Sequence, residues 1–299
     1  MLATTTTDPA ASALLLPLLK IAALLATGYA VHRALSPPNP PPAPKTCIDN
    51  RTLFERAIRH VTFCSKMLTW AIVLCDALAT LHLAAPNPLT RPLASVLLPS
   101  SFLPPSQPPS SISSLPPPSS PVSLSAALTT PHAFLLLGAA MAVGGAVLRL
   151  VCFRALGTLF TFELTISPTH TLVTDGPYAC VRHPSYAGVY AVLLGASAVM
   201  LSPSAWLREA WLDPSLGALW SSVRGGEAGT GGKGGGQGGL VGVGLAWAFV
   251  AFWGVKVVYA LRSTNRRVGT EDAELHRVFG AQWEEWAARV RWRLVPWVF

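Results

Sequence analysis

Charged residues are scarce in this sequence. Asp, Glu, Lys and Arg make up 12% of its 299 residues, whereas soluble domains carry about 25%. Hydrophobic residues reach 51% and the mean hydropathy is +0.44, so the composition indicates a membrane protein. The formal net charge of +8 could suggest nucleic acid, but the charges flank apolar segments, which is typical of membrane anchoring. We therefore expect no nucleic-acid partner.

Metal-binding and disulfide patterns are also lacking. The five cysteines form no CxxC pair and have no companion His at zinc spacing. Three of them lie in or beside apolar segments, where Cys usually behaves as a small hydrophobic residue. The sequence therefore predicts neither a disulfide framework nor a metal site. The cysteines are Cys47, Cys64, Cys75, Cys152 and Cys180.

Two low-complexity stretches separate apolar parts of the chain. Residues 105–121 are rich in Pro and Ser, which favours extended, solvated chain. Residues 224–239 are rich in Gly and predict a flexible linker, since they lack the GK[ST] ending of a phosphate-binding loop. We divide the chain into an N-terminal part, 1–131, with a basic cytosolic loop and a Pro/Ser-rich lumenal loop, and a part that carries the functional motifs, 132–299.

Five stretches are long and apolar enough to span a membrane, which requires about 20 mostly apolar residues. They are 11–35, 64–85, 132–151, 186–205 and 240–261. The first one contains Lys20 and follows no basic residue, so we interpret it as a retained anchor rather than a signal peptide. A further apolar piece, 93–103, is broken by Pro and is predicted to be interfacial or lumenal. The fold class predicted is an all-α, polytopic membrane bundle with about five spanning helices.

The distribution of Lys and Arg predicts the orientation of the spans. Segments 32–66, 149–183 and 262–299 hold sixteen of these residues, whereas the alternate loops hold four. Under the positive-inside rule the three basic segments face the cytosol and the N-terminus faces the lumen. The polar motifs of the second half, within 156–188 and 262–299, are thus expected on one side of the membrane, where they could form one site.

The C-terminal tail, 262–299, predicts an amphipathic helix. Thr270 is the expected N-cap, with Glu271 and Asp272 in the first turn. A helix rich in Trp and Arg that leaves a span is expected to lie along the membrane surface. Apolar side chains recur at helical spacing, namely Leu275, Val278, Phe279, Trp283, Trp286 and Val290.

Residues 171–188 interrupt the apolar chain with polar and turn-forming residues. Gly176-Pro177 predicts a turn, and Pro184 can open a helix at its first position. Irregular backbone at membrane depth is tolerated only where it is buried in protein or lines a cavity. One interpretation is that Tyr178, Arg182, His183 and Tyr186 face a cytosolic pocket. The other is an interfacial belt in which Arg182 contacts lipid phosphate, and the residues alone leave both open.

Two motifs resemble a known family. Residues 170–188, HTLVTDGPYACVRHPSYAG, closely resemble the signature of the isoprenylcysteine carboxyl methyltransferases, and 156–166, LGTLFTFELTI, resemble its lead-in. The resemblance extends over roughly 150–299.

The tail is similar to the family's second signature at Arg267, Glu271-Asp272, Leu275, Phe279-Gly280, Trp283, Trp286 and Arg289-Val290. Two positions of this signature differ: the family has Glu-Glu where this chain has Glu271-Asp272, and it has a pair of Tyr where this chain has Trp.

The resemblance implies a pocket for S-adenosyl-L-methionine. It implies that Arg267 contacts the substrate carboxylate and that Arg182 is a second candidate for this catalytic positioning. No metal is implied. The implied cofactor-binding residues are Glu163, His170, Thr171, Leu172, Val173, Tyr178, His183, Pro184, Ser185, Tyr186 and Glu271.

The activity that the resemblance implies is methylation of the C-terminal carboxylate of prenylated cysteine in CaaX-processed proteins or peptides. The implied partners are small GTPases or peptide pheromones together with membrane lipid, and the implied location is the endoplasmic reticulum, with motifs and C-terminus in the cytosol. The alternative is a phosphatidylethanolamine N-methyltransferase, which has a related motif. Its amine nucleophile must first be deprotonated, by His183 or Glu271.

Overall fold

The structure is a computed structural model that describes residues 9–40, 53–99, 126–160, 171–217 and 237–297. These residues form helices and no strand. The Pro/Ser-rich stretch and residues 224–236 of the Gly-rich stretch lie outside the described residues. The main helices are α1 (Pro9–Ala34), α2 (Leu53–Ala84), α3 (Arg91–Leu97), α4 (Ala133–Leu156), α5 (Pro184–Met200), α6 (Gln237–Phe279) and α7 (Ala281–Arg289).

Among the described residues, four helical segments are long and apolar enough to cross a membrane. They are Leu14–Ala34, Ile58–Ala84, Ala126–Leu159 and Leu240–Phe279. The fourth predicted span corresponds to α5, which is apolar but has only 17 residues, at the lower end of the roughly 17–25 that a spanning helix needs. The prediction of an all-α, polytopic membrane bundle is thus confirmed.

The predicted start of a tail helix at Thr270 is wrong. One helix of 43 residues runs from Gln237 to Phe279, and the hydroxyl of Thr270 donates to the carbonyl of Arg266, one turn earlier. The preceding Gly269 costs a helix only about 1 kcal/mol. Burial of Val268, at 1% exposure, favours continuation of the helix. The first helix boundary in the tail is instead Gly280, at a φ of +51°.

The described part of the short apolar piece, 93–99, forms no spanning helix. It includes most of α3, a seven-residue helix with Pro in its first turn, followed by an extended Leu98. The indole nitrogen of Trp206 donates to the carbonyl of Leu97 at 2.8 Å. This contact satisfies a carbonyl at the C-terminus of α3, where helices leave such groups without intrahelical partners.

The described chain divides into two compact units. The first comprises residues 1–26, 71–139 and 197–252, and the second comprises 27–70, 140–196 and 253–299. The three segments rich in Lys and Arg lie in the second unit. Their orientation toward the cytosol stays a prediction.

A buried ion pair lies in the first unit. The ammonium of Lys20 is 2.6 Å from Oδ1 of Asp76, and the two side chains are 0% and 3% exposed. The ammonium also donates to the carbonyls of Leu128, at 2.8 Å, and Ser204, at 2.7 Å. The second oxygen of Asp76 accepts the backbone N–H of Trp206 at 3.0 Å. Buried charges persist when they are paired and hydrogen-bonded in this way.

In the second unit α4 and α5 approach each other through glycines. A Cβ on Gly145 would lie 2.7 Å from the Cβ of Ala191 and 2.8 Å from the carbonyl oxygen of Gly188. Helices in membranes approach this closely where small residues face each other. The contact holds the start of α5, where the functional motif ends, against α4.

We predict that Gly145→Ala destabilises the protein by about 1–3 kcal/mol, since the added methyl overpacks the α4–α5 contact. Gly144→Ala is the matched control, because nothing lies within 4 Å of a Cβ there. Unfolding by denaturing detergent in micelles measures both variants. Equal stability of the two variants would contradict the predicted contact.

We also predict that Asp76→Ala costs about 3–5 kcal/mol, because it leaves the Lys20 ammonium buried without its counterion. The double variant Lys20→Met, Asp76→Leu removes both charges and is expected to recover most of the loss. The same unfolding measurement applies. A double variant no more stable than Asp76→Ala would show that the pair does not act as a unit.

Candidate active site

The functional motif folds as an irregular loop that leads into α5. Gly176–Ala179 forms a 3₁₀ turn, and Gly176 adopts a φ of +60°, a left-handed conformation that residues with a Cβ rarely adopt. Pro184 is the first residue of α5. The predicted turn at Gly176-Pro177 and the predicted helix start at Pro184 are both confirmed.

The C-terminal segment of the chain pairs with this loop through its backbone. The N–H of Arg182 donates to the carbonyl of Trp292 at 2.9 Å, and the N–H of His183 donates to that of Arg293 at 2.8 Å. The indole of Trp286 donates to the carbonyl of Tyr178 at 3.2 Å. The loop thereby satisfies backbone groups that a buried irregular segment would otherwise leave without partners. The two polar regions predicted to meet do meet.

Asp272, on α6, gathers three basic side chains. Its Oδ1 accepts a hydrogen bond from Nε2 of His183 at 2.9 Å, which places a proton on that nitrogen because a carboxylate only accepts. Its Oδ2 lies 3.5 Å from Arg182 and 3.4 Å from Arg293. The carboxylate is 8% exposed, so little water screens these charges. Asp272 therefore ties α6 to both the loop and the C-terminal segment.

Arg182 is held on a second side by an aromatic ring. Its guanidinium lies 5.6 Å from the ring centre of Trp283, within the range of a cation–π contact. Burial lowers the pKa of Arg182, while Asp272 opposes the shift. The group nevertheless stays cationic at neutral pH, because arginine does not deprotonate in proteins.

Tyr178 closes the inner side of the loop. It packs in an apolar cluster with Cys152, Trp286 and Val290. Burial raises the pKa of its phenol, so the hydroxyl remains protonated and can donate a hydrogen bond. The loop therefore presents a neutral phenol at the cavity wall.

Arg149, on α4, fixes the first turn of α5. Its guanidinium donates to the hydroxyl of Ser185 at 2.9 Å and to the carbonyl of that residue at 3.2 Å. It also donates to the carbonyl of Ala34, at the end of α1. The side chain is 5% exposed and lies over the rings of Phe153 and Phe160. One buried cation thus links α1, α4 and α5 beside the loop.

One cavity of the second unit collects most of the predicted site residues. The space free of protein atoms is about 1470 Å³, which includes open solvent. The predicted residues that line it are Thr171, Leu172, Val173, Tyr178, Arg182, His183, Ser185, Tyr186, Arg267 and Glu271.

Three predicted residues do not line the cavity or cannot be placed. Pro184 is buried at the start of α5 and is not part of the cavity wall. Glu163 and His170 lie outside the described residues. The pocket interpretation of the motif is favoured over the interfacial belt for Tyr178, Arg182, His183 and Tyr186, since all four line the cavity.

Sequence reasoning missed three polar residues at this site. Arg149 counted only as one of the basic residues that orient the spans, and Lys256 lies unnoticed inside an apolar run. Asp272 appeared only as half of an acidic pair in a helix cap. An ionisable residue inside a predicted span is the signal that could have found Arg149 and Lys256.

We predict that Asp272→Asn lowers stability by about 3 kcal/mol and weakens cofactor binding, because it removes the anion that holds His183 and Arg182. Glu274→Gln on the same helix is the control, since its pair with Arg277 is exposed and is worth at most about 1 kcal/mol. Unfolding in micelles and ligand binding measure both. Identical behaviour of the two variants would contradict the role assigned to Asp272.

Comparison with known proteins gives one match. Residues 137–210 match the model of the isoprenylcysteine carboxyl methyltransferase family. The segment contains most of α4, the motif loop and α5, and it confirms the resemblance seen in the first signature. No curated protein and no solved structure matches the chain. Residues 137–210 therefore carry a domain similar to that of the enzymes that methylate the carboxyl group of isoprenylcysteine.

Proposed function

We propose that this enzyme uses S-adenosylmethionine to methylate the C-terminal prenylated cysteine of CaaX-processed proteins or peptides. The observation that carries the proposal is the composition of the cavity. One part of its wall holds Arg182, His183, Arg267 and Glu271, and the remainder is largely apolar. A prenylated cysteine has the same division, with a carboxylate at one end and an isoprenoid chain at the other.

The polar wall fits the cofactor. Oε2 of Glu271 lies 3.7 Å from Nδ1 of His183 but accepts no hydrogen bond among the described residues, and Nε of Arg182 likewise has no acceptor there. S-adenosylmethionine carries hydroxyl and ammonium donors as well as a carboxylate, so it offers partners to both atoms. Leu172, Val173 and Tyr178 supply apolar and aromatic surface beside them. The polar and apolar residues of this wall therefore match the chemical groups of S-adenosylmethionine.

The substrate carboxylate needs no general base. An α-carboxyl has a pKa of about 3.5 and is ionised at neutral pH. S-adenosylmethionine, when bound, supplies an electrophilic methyl group on a cationic sulfur. The protein then has to position the carboxylate and exclude water. This requirement explains why the proposal assigns no nucleophilic Ser or Cys.

Arg267 is the proposed contact for the carboxylate. It is 8% exposed and lies one helical turn before Glu271 on the face of α6 that lines the cavity. An arginine can hold a carboxylate at two points without taking its proton. Arg182 is the second candidate, but its guanidinium already contacts Asp272 and Trp283, which favours a supporting role.

The proposed location is the endoplasmic reticulum membrane, with the site facing the cytosol. The second unit contains the cavity and draws its chain from the segments rich in Lys and Arg, and such segments favour the cytosolic side. The proposed partners are small GTPases or peptide pheromones with a prenylated C-terminal cysteine, together with membrane lipid.

One assay tests the proposed function against its alternative. Membranes with the purified enzyme receive methyl-labelled S-adenosylmethionine and either a farnesylated cysteine analogue or phosphatidylethanolamine. A base-labile methyl ester on the first substrate is the expected product. Label in the phospholipid instead would identify an N-methyltransferase and overturn the proposal.

We predict that Arg267→Ala lowers kcat/KM for the farnesylated analogue by about a hundredfold or more, because a preorganised charged contact to the reacting group is lost. Cofactor affinity should change little. Arg266→Ala is the matched control, since Arg266 is exposed on the same helix and should retain activity. Loss of cofactor binding in Arg267→Ala would show that Arg267 belongs to the cofactor site instead.

A further inference from the structure

A lysine lies at the far end of the cavity from the polar wall. Lys256 on α6 is 9% exposed, lies within a segment able to span the membrane, and lines the same cavity as Arg267. Its ammonium donates to the hydroxyl of Ser65 at 3.0 Å and lies 3.4 Å from the ring centre of Trp253. In the part of the chain that the structure describes, it has no carboxylate partner.

Such a residue is costly to keep. An ionisable side chain in the membrane interior costs about 2.5–3.5 kcal/mol on insertion scales, and it usually marks a functional site. One hydroxyl and one aromatic face compensate the loss of water only in part. By contrast, the buried Lys20 has a carboxylate and two carbonyls around it. The structural role that explains Lys20 therefore does not explain Lys256.

The position of Lys256 follows from the helical repeat of α6. Lys256 and Arg267 are eleven residues apart, which is close to three full turns, so they point to one side of the helix. The separation along the axis is about 16 Å at a rise of about 1.5 Å per residue. The cavity-lining residues of α6 continue this stripe, namely Lys256, Ala260, Thr264, Arg267, Glu271 and Leu275.

The walls between the two ends are largely apolar. Helix α2 contributes Ile58 and Val61 on the face that carries Ser65, and α5 contributes Val189 and Leu193. We call this part of the cavity, bounded by α2, α5 and α6, the apolar lobe. Among the described residues of α2, α5 and α6 that line the cavity, Lys256 is the charged one outside the polar wall of Arg267 and Glu271.

We propose that Lys256, held by Ser65, forms the polar end of the apolar lobe and limits the length of the isoprenoid chain that the enzyme accepts. This inference rests on the proposed function. An isoprenoid tail that reaches the amine would have to bury it against hydrocarbon or break its hydrogen bond, and both are unfavourable. A chain that ends before the amine meets a mostly apolar wall, in which Thr62 and Thr264 are the polar residues of α2 and α6.

The dimensions favour the shorter of the two common isoprenoids. An extended chain advances about 3.3–3.6 Å for every three bonds, as a peptide does per residue. The twelve bonds from the sulfur along a farnesyl chain therefore span roughly 14 Å, and the sixteen of a geranylgeranyl chain roughly 19 Å. Counted from the carboxylate that Arg267 holds, the cysteine adds three bonds, so the two substrates span roughly 17 and 22 Å. Arg267 and Lys256 are separated by about 16 Å along the helix, so the farnesyl chain ends at about the level of Lys256 and the geranylgeranyl chain has to pass it.

The test compares farnesylated and geranylgeranylated cysteine analogues as substrates of the full-length enzyme in membranes. We expect the wild type to have the higher kcat/KM for the farnesyl analogue. Lys256→Met, apolar and of similar length, should raise the geranylgeranyl-to-farnesyl ratio of kcat/KM by about tenfold or more, as pocket changes of one or a few methylenes do. Lys256→Gln keeps a polar end and should leave the ratio near that of the wild type.

Two further variants complete the test. Lys256→Ala lengthens the lobe and should shift the ratio in the same direction, so it replaces the Met variant if that one fails to fold. Lys66→Met is the matched control, because Lys66 is the next residue after Ser65, donates to Ser36 and does not line the cavity. Binding of S-adenosylmethionine reports folding of each variant.

The outcomes separate the two proposals. No methyl ester on either analogue would refute the proposed function. Ester formation with an unchanged ratio in the folded Met and Ala variants, or a wild type that prefers geranylgeranyl, would overturn the role of Lys256 alone. An equal shift in Lys66→Met would also overturn it.

Discussion

The site depends on one buried carboxylate, that of Asp272. It lies on the long helix α6 and binds His183 at 2.9 Å while facing Arg182 and Arg293. A buried carboxylate pays a desolvation cost that only such partners offset. The motif loop, α6 and the C-terminal segment are far apart in sequence, and this one group contacts all three. The neighbouring Glu271 consequently faces the cavity wall that the loop completes.

The second constraint is the need to satisfy an irregular backbone next to a membrane. The loop achieves this by donating two backbone N–H groups to the C-terminal segment and by accepting the indole of Trp286. Arg149 likewise donates hydrogen bonds to backbone carbonyls in the first turn of α5 and at the end of α1. Most polar groups around the loop therefore hydrogen-bond to other parts of the protein and hold the loop in place. A few, such as Oε2 of Glu271, accept no hydrogen bond from the described residues and can accept one from a ligand.

The sequence was sufficient for the fold class and for ten of the residues that line the cavity. Apolar run length predicts spanning helices because the bilayer sets their length, and Gly176, Pro177 and Pro184 predict a turn and a helix start through their backbone restrictions. The prediction at Thr270 was wrong because the residue types that cap helices also occur inside them. Here the hydroxyl of Thr270 donates to the carbonyl of Arg266 within one continuous helix. Lys256 and Arg149 were not predicted as site residues because hydropathy averaged over a span hides a single charge. Their contact partners are also distant in sequence, so no local motif marks them.

The central claim is that the motif loop and α6 form one pocket for S-adenosylmethionine. Photo-crosslinking of labelled S-adenosylmethionine to the purified protein in micelles, followed by peptide mapping, tests it directly. The account predicts label in peptides from 171–186 and in the peptide that contains Glu271, with both signals lost on adding unlabelled cofactor. Specific label confined to one of the two regions, or found in α1 or α3, would contradict it.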